Sequence, residues 1–175
     1  MHYRIVGMTV AAIGGAGAFP VAAGAQTLDV TLTLPRITVA EYHKPYVAVW
    51  LEKAGSPATT LTVWYDVGKR NDGGRKWLSD VRMWWRASGR TLALPADGVS
   101  GATRAPGTHK LSFVGGRGKV PALAAGAYTL VVEAAREGGG REVVRVPFTL
   151  GANGAGAGKA AGTGELGAVA VAAHR

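Results

Sequence analysis

The chain has 175 residues, with 20 Lys+Arg against 11 Asp+Glu, four His and no Cys. The missing thiols exclude disulfides, thiolate zinc sites and iron–sulfur clusters together. The formal net charge of +9 points toward anionic partners. The first 25 residues read as a signal peptide: Arg4, an uncharged apolar run from Ile5 to Gly17, Pro20, and small residues at Ala23 and Ala25. Cleavage near Ala25, before Gln26, leaves 150 residues, enough for one domain that buries about 70% of its unfolded surface. Such a chain is expected in the periplasm, exported through the general secretory pathway and not membrane-spanning once cleaved. There its anionic partners are phosphate groups, lipid headgroups or acidic proteins, and nucleic acid is not expected.

Leu28 to Leu34 alternates apolar and polar residues and predicts a strand with one buried face. Pro35 ends it. The connection Arg36 to Pro45 carries Glu41, Tyr42 and His43. Tyr46 to Lys53 is more continuously apolar and predicts a central strand covered on both faces. Thr59 to Val67 follows after a Gly-Ser-Pro turn, so the two segments predict a hairpin with Trp50 and Trp64 in one neighbourhood.

Trp77 to Ala87 changes period. Trp77, Val81, Trp84 and Trp85 fall at helical spacing and predict one buried helix face, with Gly89 as the stop. Adjacent helical positions point about 100° apart, so one of Trp84 and Trp85 is a candidate exposed indole. From Lys69 to Arg90 there are seven basic residues and two acids, a candidate docking surface. Beyond this region Thr108 to Val114, Ala127 to Ala135 and Arg141 to Leu150 predict strands separated by glycine turns. The fold class is mostly β, an immunoglobulin-like antiparallel β-sandwich with one inserted helix. Residues 26–150 form this domain, and Gly151 to Gly164, nearly all Gly, Ala, Thr and Lys, predicts a flexible linker. Residues 165–175 predict an edge strand or a disordered tail.

The candidate chemistry lies in Asp97-Gly98-Val99-Ser100-Gly101-Ala102-Thr103, read locally as a turn. No Gly-x-Ser-x-Gly frame surrounds Ser100, and His43, His109 and His174 lack the paired spacing of a metal site. By itself the chain is expected to be a carrier or binding module and not an enzyme. The stretch resembles the acceptor motif of periplasmic flavin transferases, in which Asp, two free positions, Ser or Thr, and Gly-Ala-Thr precede transfer of FMN to the threonine. That resemblance implies covalent FMN on Thr103, with Asp97, Ser100, Gly101 and Ala102 shaping the acceptor. Arg104 would pair with the phosphodiester, and Trp84 or Trp85 would stack on the flavin ring.

Two wider resemblances add context. Gly107-Thr108-His109 and Ala125-Gly126-Ala127-Tyr128 are similar to strands of the immunoglobulin-like domain of the flagellar hook-capping protein. The segments YHKPYVAVWLE, KWLSDVRMWWR, VSGATRAPG and GELGAV resemble a predicted periplasmic family of unknown function. That family's members occur beside flavin transferases and PepSY-type membrane proteins. This context implies an electron-transfer protein carrying FMN and working with a membrane redox partner. The alternative is a non-catalytic immunoglobulin-like periplasmic binding or accessory module.

Overall fold

A computed structural model describes residues 26–175; the expected signal peptide lies outside the described residues. Two sheets face each other. One has the strand order β5-β1-β9-β8 and the other β4-β3-β2-β6-β7. The strands are β1 Thr27–Leu34, β2 Tyr46–Glu52, β3 Thr59–Tyr65, β4 Ser100–Ala102, β5 Gly107–Val114, β6 Gly126–Ala135, β7 Arg141–Leu150, β8 Gly156–Ala161 and β9 Ala168–His174. All pairs are antiparallel except β3 with β4, which run parallel. The mostly β sandwich read from the alternation is the fold observed.

Alternation explains how the core is built. In β1 every second residue is buried, so Leu28, Val30, Leu32 and Leu34 enter the space between the sheets. They meet Val47, Val49, Leu130, Val132, Val144 and Val146 from the facing sheet. β2 lies between β3 and β6 with five consecutive buried residues, the central strand its apolar run predicts. Its other face packs Ala48 and Trp50 into a second cluster with Val63, Leu78, Val81, Trp84 and Val131. Trp50 and Trp64 share the β2–β3 hairpin but lie on its opposite faces, in different clusters. The expected common neighbourhood fails because side chains along a strand alternate faces. Trp50, Trp64 and Trp84 are each at most 1% exposed; truncating an indole so placed costs about 3–5 kcal/mol.

The second cluster is roofed by a helical layer that differs from the single helix expected. A run of 3-10 turns spans Arg70–Asp80, broken at Asn71 and Asp72, whose φ angles are 54° and 52°. The α-helix α1 is only Arg82–Ala87. Its first residue follows Val81, which offers no side-chain cap. The acceptors come instead from β6: the Glu133 carboxylate takes the Met83 and Trp84 N–H groups at 3.2 and 2.8 Å and the Arg141 guanidinium at 2.7 Å. Glu133 is fully buried, so these bonds hold the roof on the sheet. Gly89 is not the stop expected of it, because a further 3-10 turn, Gly89–Thr91, begins there; it packs against the Trp84 ring, where a Cβ would lie 2.9 Å away.

The segment read as a flexible linker contains β8, paired along its length with β9. Nor is the last segment an edge strand, because β9 lies between β1 and β8. The Gly and Ala residues reflect close approach of backbones. A side chain at Gly158 would sit 2.6 Å from the Pro147 carbonyl oxygen of β7, and Gly156 is crowded in the same way by Thr149. Carboxylates replace apolar burial at the β8–β9 turn. Glu142 accepts the N–H groups of Thr163, Gly164 and Leu166 at 2.6, 3.1 and 2.8 Å. The side chains of Glu165 and Arg136, each 7% exposed, pair at 3.0 Å.

Candidate functional site

The Asp97–Thr103 stretch begins as the turn its residues predict. Asp97 and Gly98 are exposed, and the Val99 and Ser100 N–H groups donate to the Ala96 carbonyl at 3.1 and 2.8 Å. The Ser100 hydroxyl accepts the Ala96 N–H at 3.0 Å, fixing the turn as a short polar side chain does. Val99 is buried, and its carbonyl accepts from the Thr62 hydroxyl and the Val63 N–H. From Ser100 onward the stretch is no longer a turn. Ser100, Gly101 and Ala102 pair with Val63, Trp64 and Tyr65, and the Thr103 N–H donates to the Tyr65 carbonyl at 3.2 Å. The Gly-Ala-Thr sequence is thus the edge strand of the larger sheet and its immediate continuation.

Gly101 lies over the Trp64 indole, where a Cβ would stand 3.2 Å from Cδ1. Arg104 covers the same ring, with its guanidinium carbon 4.1 Å from the ring centroid. His109 meets that ring edge-on at 5.5 Å, and its Nε2 donates to the Ala105 carbonyl at 2.9 Å. Arg104 is therefore engaged in a cation–π contact and is not among the residues that share a cavity with Thr103.

Thr103 is half-buried and lines a cavity of about 240 Å³. Its walls come from four places in the chain: Tyr42 to Tyr46, Asp66 to Lys69, Trp77 to Asp80, and Ala135 to Glu137. The Tyr46 phenol donates to the Gly74 carbonyl at 3.0 Å. Burial pushes the Tyr46 phenol above its ordinary pKa, and burial does the same to Tyr42 against the opposing charge of Arg136. Both are neutral at neutral pH. Hydrogen bonding to Glu165 pushes the Arg136 guanidinium up and ties it in place, with its charge 5.8 Å from the Tyr42 ring centroid. Lys44 and Lys69 are exposed at the rim. Asp66, Asp80 and Glu137 balance the three cations, so the cavity is polar and of mixed charge.

The aromatic side chain at this cavity is not one of the two expected. Trp84 is fully buried, its indole N–H bound to the Thr60 hydroxyl at 3.0 Å. Trp85 is half-buried and packs on the second cluster, away from Thr103. Trp77, placed on the buried face by its helical spacing, is 47% exposed and lines the cavity. The spacing misleads because 3-10 turns, with three residues per turn, rotate Trp77 off the face that Leu78, Val81 and Trp84 share. Tyr42, Lys44, Tyr46, Lys69 and Arg136 carry no motif. The density of aromatic and polar residues in Tyr42-His43-Lys44-Pro45-Tyr46 is the one sequence signal that could have marked them.

A family model described as a predicted periplasmic protein (DUF2271) matches residues 27–168. No curated protein and no solved structure matches the chain.

Proposed function

The chain belongs to that family of predicted periplasmic proteins, and from this premise we propose that it is an electron carrier bearing FMN as a phosphodiester on Thr103. The reading rests on one observation. The last residue of a complete acceptor motif opens onto a cavity that holds an exposed indole, two neutral phenols and two rim lysines.

These residues fit the group. Lys44 and Lys69 are suited to a phosphodiester anion, Trp77 to an aromatic ring face, and Tyr42 and Tyr46 to the polar edge of a ligand. The cavity is smaller than the roughly 300–1,000 Å³ of enclosed small-molecule sites, so it would receive one end of the group and leave the rest at the surface. Bound FMN would supply one- and two-electron redox chemistry.

Attachment requires a flavin transferase with FAD. The Thr103 oxygen forms a new bond to the FMN phosphorus, the pyrophosphate bond of FAD breaks, AMP leaves, and the hydroxyl proton passes to a base of the transferase. The acceptor stretch suits this role because, among the described residues, β4 is an edge strand paired with β3 alone. By resemblance the redox partner is a PepSY-type membrane protein. Arg104 serves in this reading by holding the strand end on Trp64 and leaves the phosphate to the lysines.

Intact mass tests the proposal after co-production with an active flavin transferase and FAD. The exported protein should gain one FMN phosphodiester, Thr103→Ser should retain it, and Thr103→Ala should lose it. An unmodified wild-type chain beside a modified control substrate would overturn the reading.

A further inference from the structure

The helical layer over the second cluster concentrates the positive charge of the fold. Lys69, Arg70, Arg75, Lys76, Arg82, Arg86 and Arg90 face only Asp72 and Asp80 over the same stretch, more than half of the chain's net positive charge. All seven are exposed. Elsewhere three arginines are neutralised in pairs, Arg136 with Glu165, Arg141 with Glu133, and Arg145 with Glu52. In the helical layer, among the described residues, only Arg75 makes an ion pair, 3.6 Å from Asp72.

The charge is arranged around a groove. Arg75, Lys76 and Arg90 line it together with Asn71, with Asp72, with the half-buried Trp85 and with Leu92, so three cations face one carboxylate. Val67, two residues before Lys69, is 47% exposed. Long cationic side chains around an accessible indole match the chemistry of a phospholipid surface, where phosphates lie outside the first apolar carbons.

We propose that this layer docks the protein on anionic phospholipid, with the groove between Arg75, Lys76 and Arg90 taking a headgroup phosphate. The charge complementarity favours lipid over an acidic protein. The cations are spread over the whole layer around a small groove of mixed polar and apolar lining, and among the described residues no broad apolar centre of the kind found in a stable protein interface accompanies them. Lys69 and Trp77 border both this layer and the Thr103 cavity, so docking would hold that cavity close to the membrane. The inference stands whether or not Thr103 is modified.

Co-sedimentation of the exported protein with vesicles provides the test. The protein should bind vesicles of phosphatidylcholine mixed with phosphatidylglycerol, release as salt rises, and ignore phosphatidylcholine alone. Each neutralised charge is expected to weaken binding about fivefold, so Arg75→Gln, Lys76→Gln and Arg90→Gln together should weaken it roughly a hundredfold. Lys110→Gln with Lys159→Gln, on exposed positions of the other sheet, should change binding far less. Circular dichroism establishes that each variant is folded. Equal binding to both vesicle types, no binding, or a folded triple variant that binds like the wild type would overturn the proposal. So would retention by an acidic protein surface such as heat-stable polyglutamate without any vesicle binding.

Discussion

Two small-residue segments, Gly98 to Thr103 and Gly151 to Gly164, read alike in sequence and do opposite work in the fold. Both become edge strands, one in each sheet and at opposite ends of the sandwich. At the first edge, β4 lies over Trp64, with Arg104 and His109 closing on the same indole. That edge is held by one large side chain and leaves Thr103 facing a cavity. At the second, β8 presses its glycines onto the backbone of β7, and charged groups anchor its turn. The difference teaches that small residues mark close approach in one place and access in another, and only the neighbours decide which.

The comparison breaks most readily at the second edge. Glu165→Ala would leave the Arg136 charge unpaired where both side chains are 7% exposed; the expected loss is about 3–5 kcal/mol in urea unfolding. Gly158→Val forces β8 off β7 and should cost about 1–3 kcal/mol by the same measurement. The corresponding change at the first edge, Gly101→Ala, meets an indole edge at 3.2 Å, which can give slightly, and should cost about 1 kcal/mol or less. Equal losses from Gly158→Val and Gly101→Ala would remove the distinction between the edges.

Acid sharpens it further. Burial raises the Glu142 pKa, but the N–H groups of Thr163, Leu166 and Gly164 outweigh burial and hold it below the ordinary value of 4.5. A carboxylate depressed in the folded state binds protons more readily when unfolded. Its contribution is complete above the unfolded pKa and is lost as pH falls through the folded one. Unfolding midpoints followed from neutral to acid pH should therefore fall less steeply below about pH 4.5 in Glu142→Gln than in the wild type. The smallest effect belongs to Thr103→Ala, which removes a half-buried hydroxyl just past the end of β4 and should leave stability within about 0.5 kcal/mol.

Six strands were legible because each is a half-buried ribbon or a continuous apolar run, β1, β2, β3, β5, β6 and β7, and β9 was legible as a strand but not as an interior one. β8 was not, because Gly and Ala carry almost no contrast between its two faces. β4 is three residues long, too short for a period. The roof was placed in the right region, but its 3-10 turns put Trp77 outside and Trp84 inside. The stretch Asp97–Thr103 was legible as a string of residue types. Its cavity was not, because residues from positions 42 to 137 meet there only after β2, β3 and β6 pair.

The account's central claim is that Thr103, and no neighbouring hydroxyl, is the residue presented for modification. Proteolysis of protein co-produced with a flavin transferase, followed by tandem mass spectrometry, measures this directly. The account predicts an FMN phosphodiester on Thr103 alone; an adduct on Ser100 or on any other hydroxyl, with Thr103 unmodified, would contradict it.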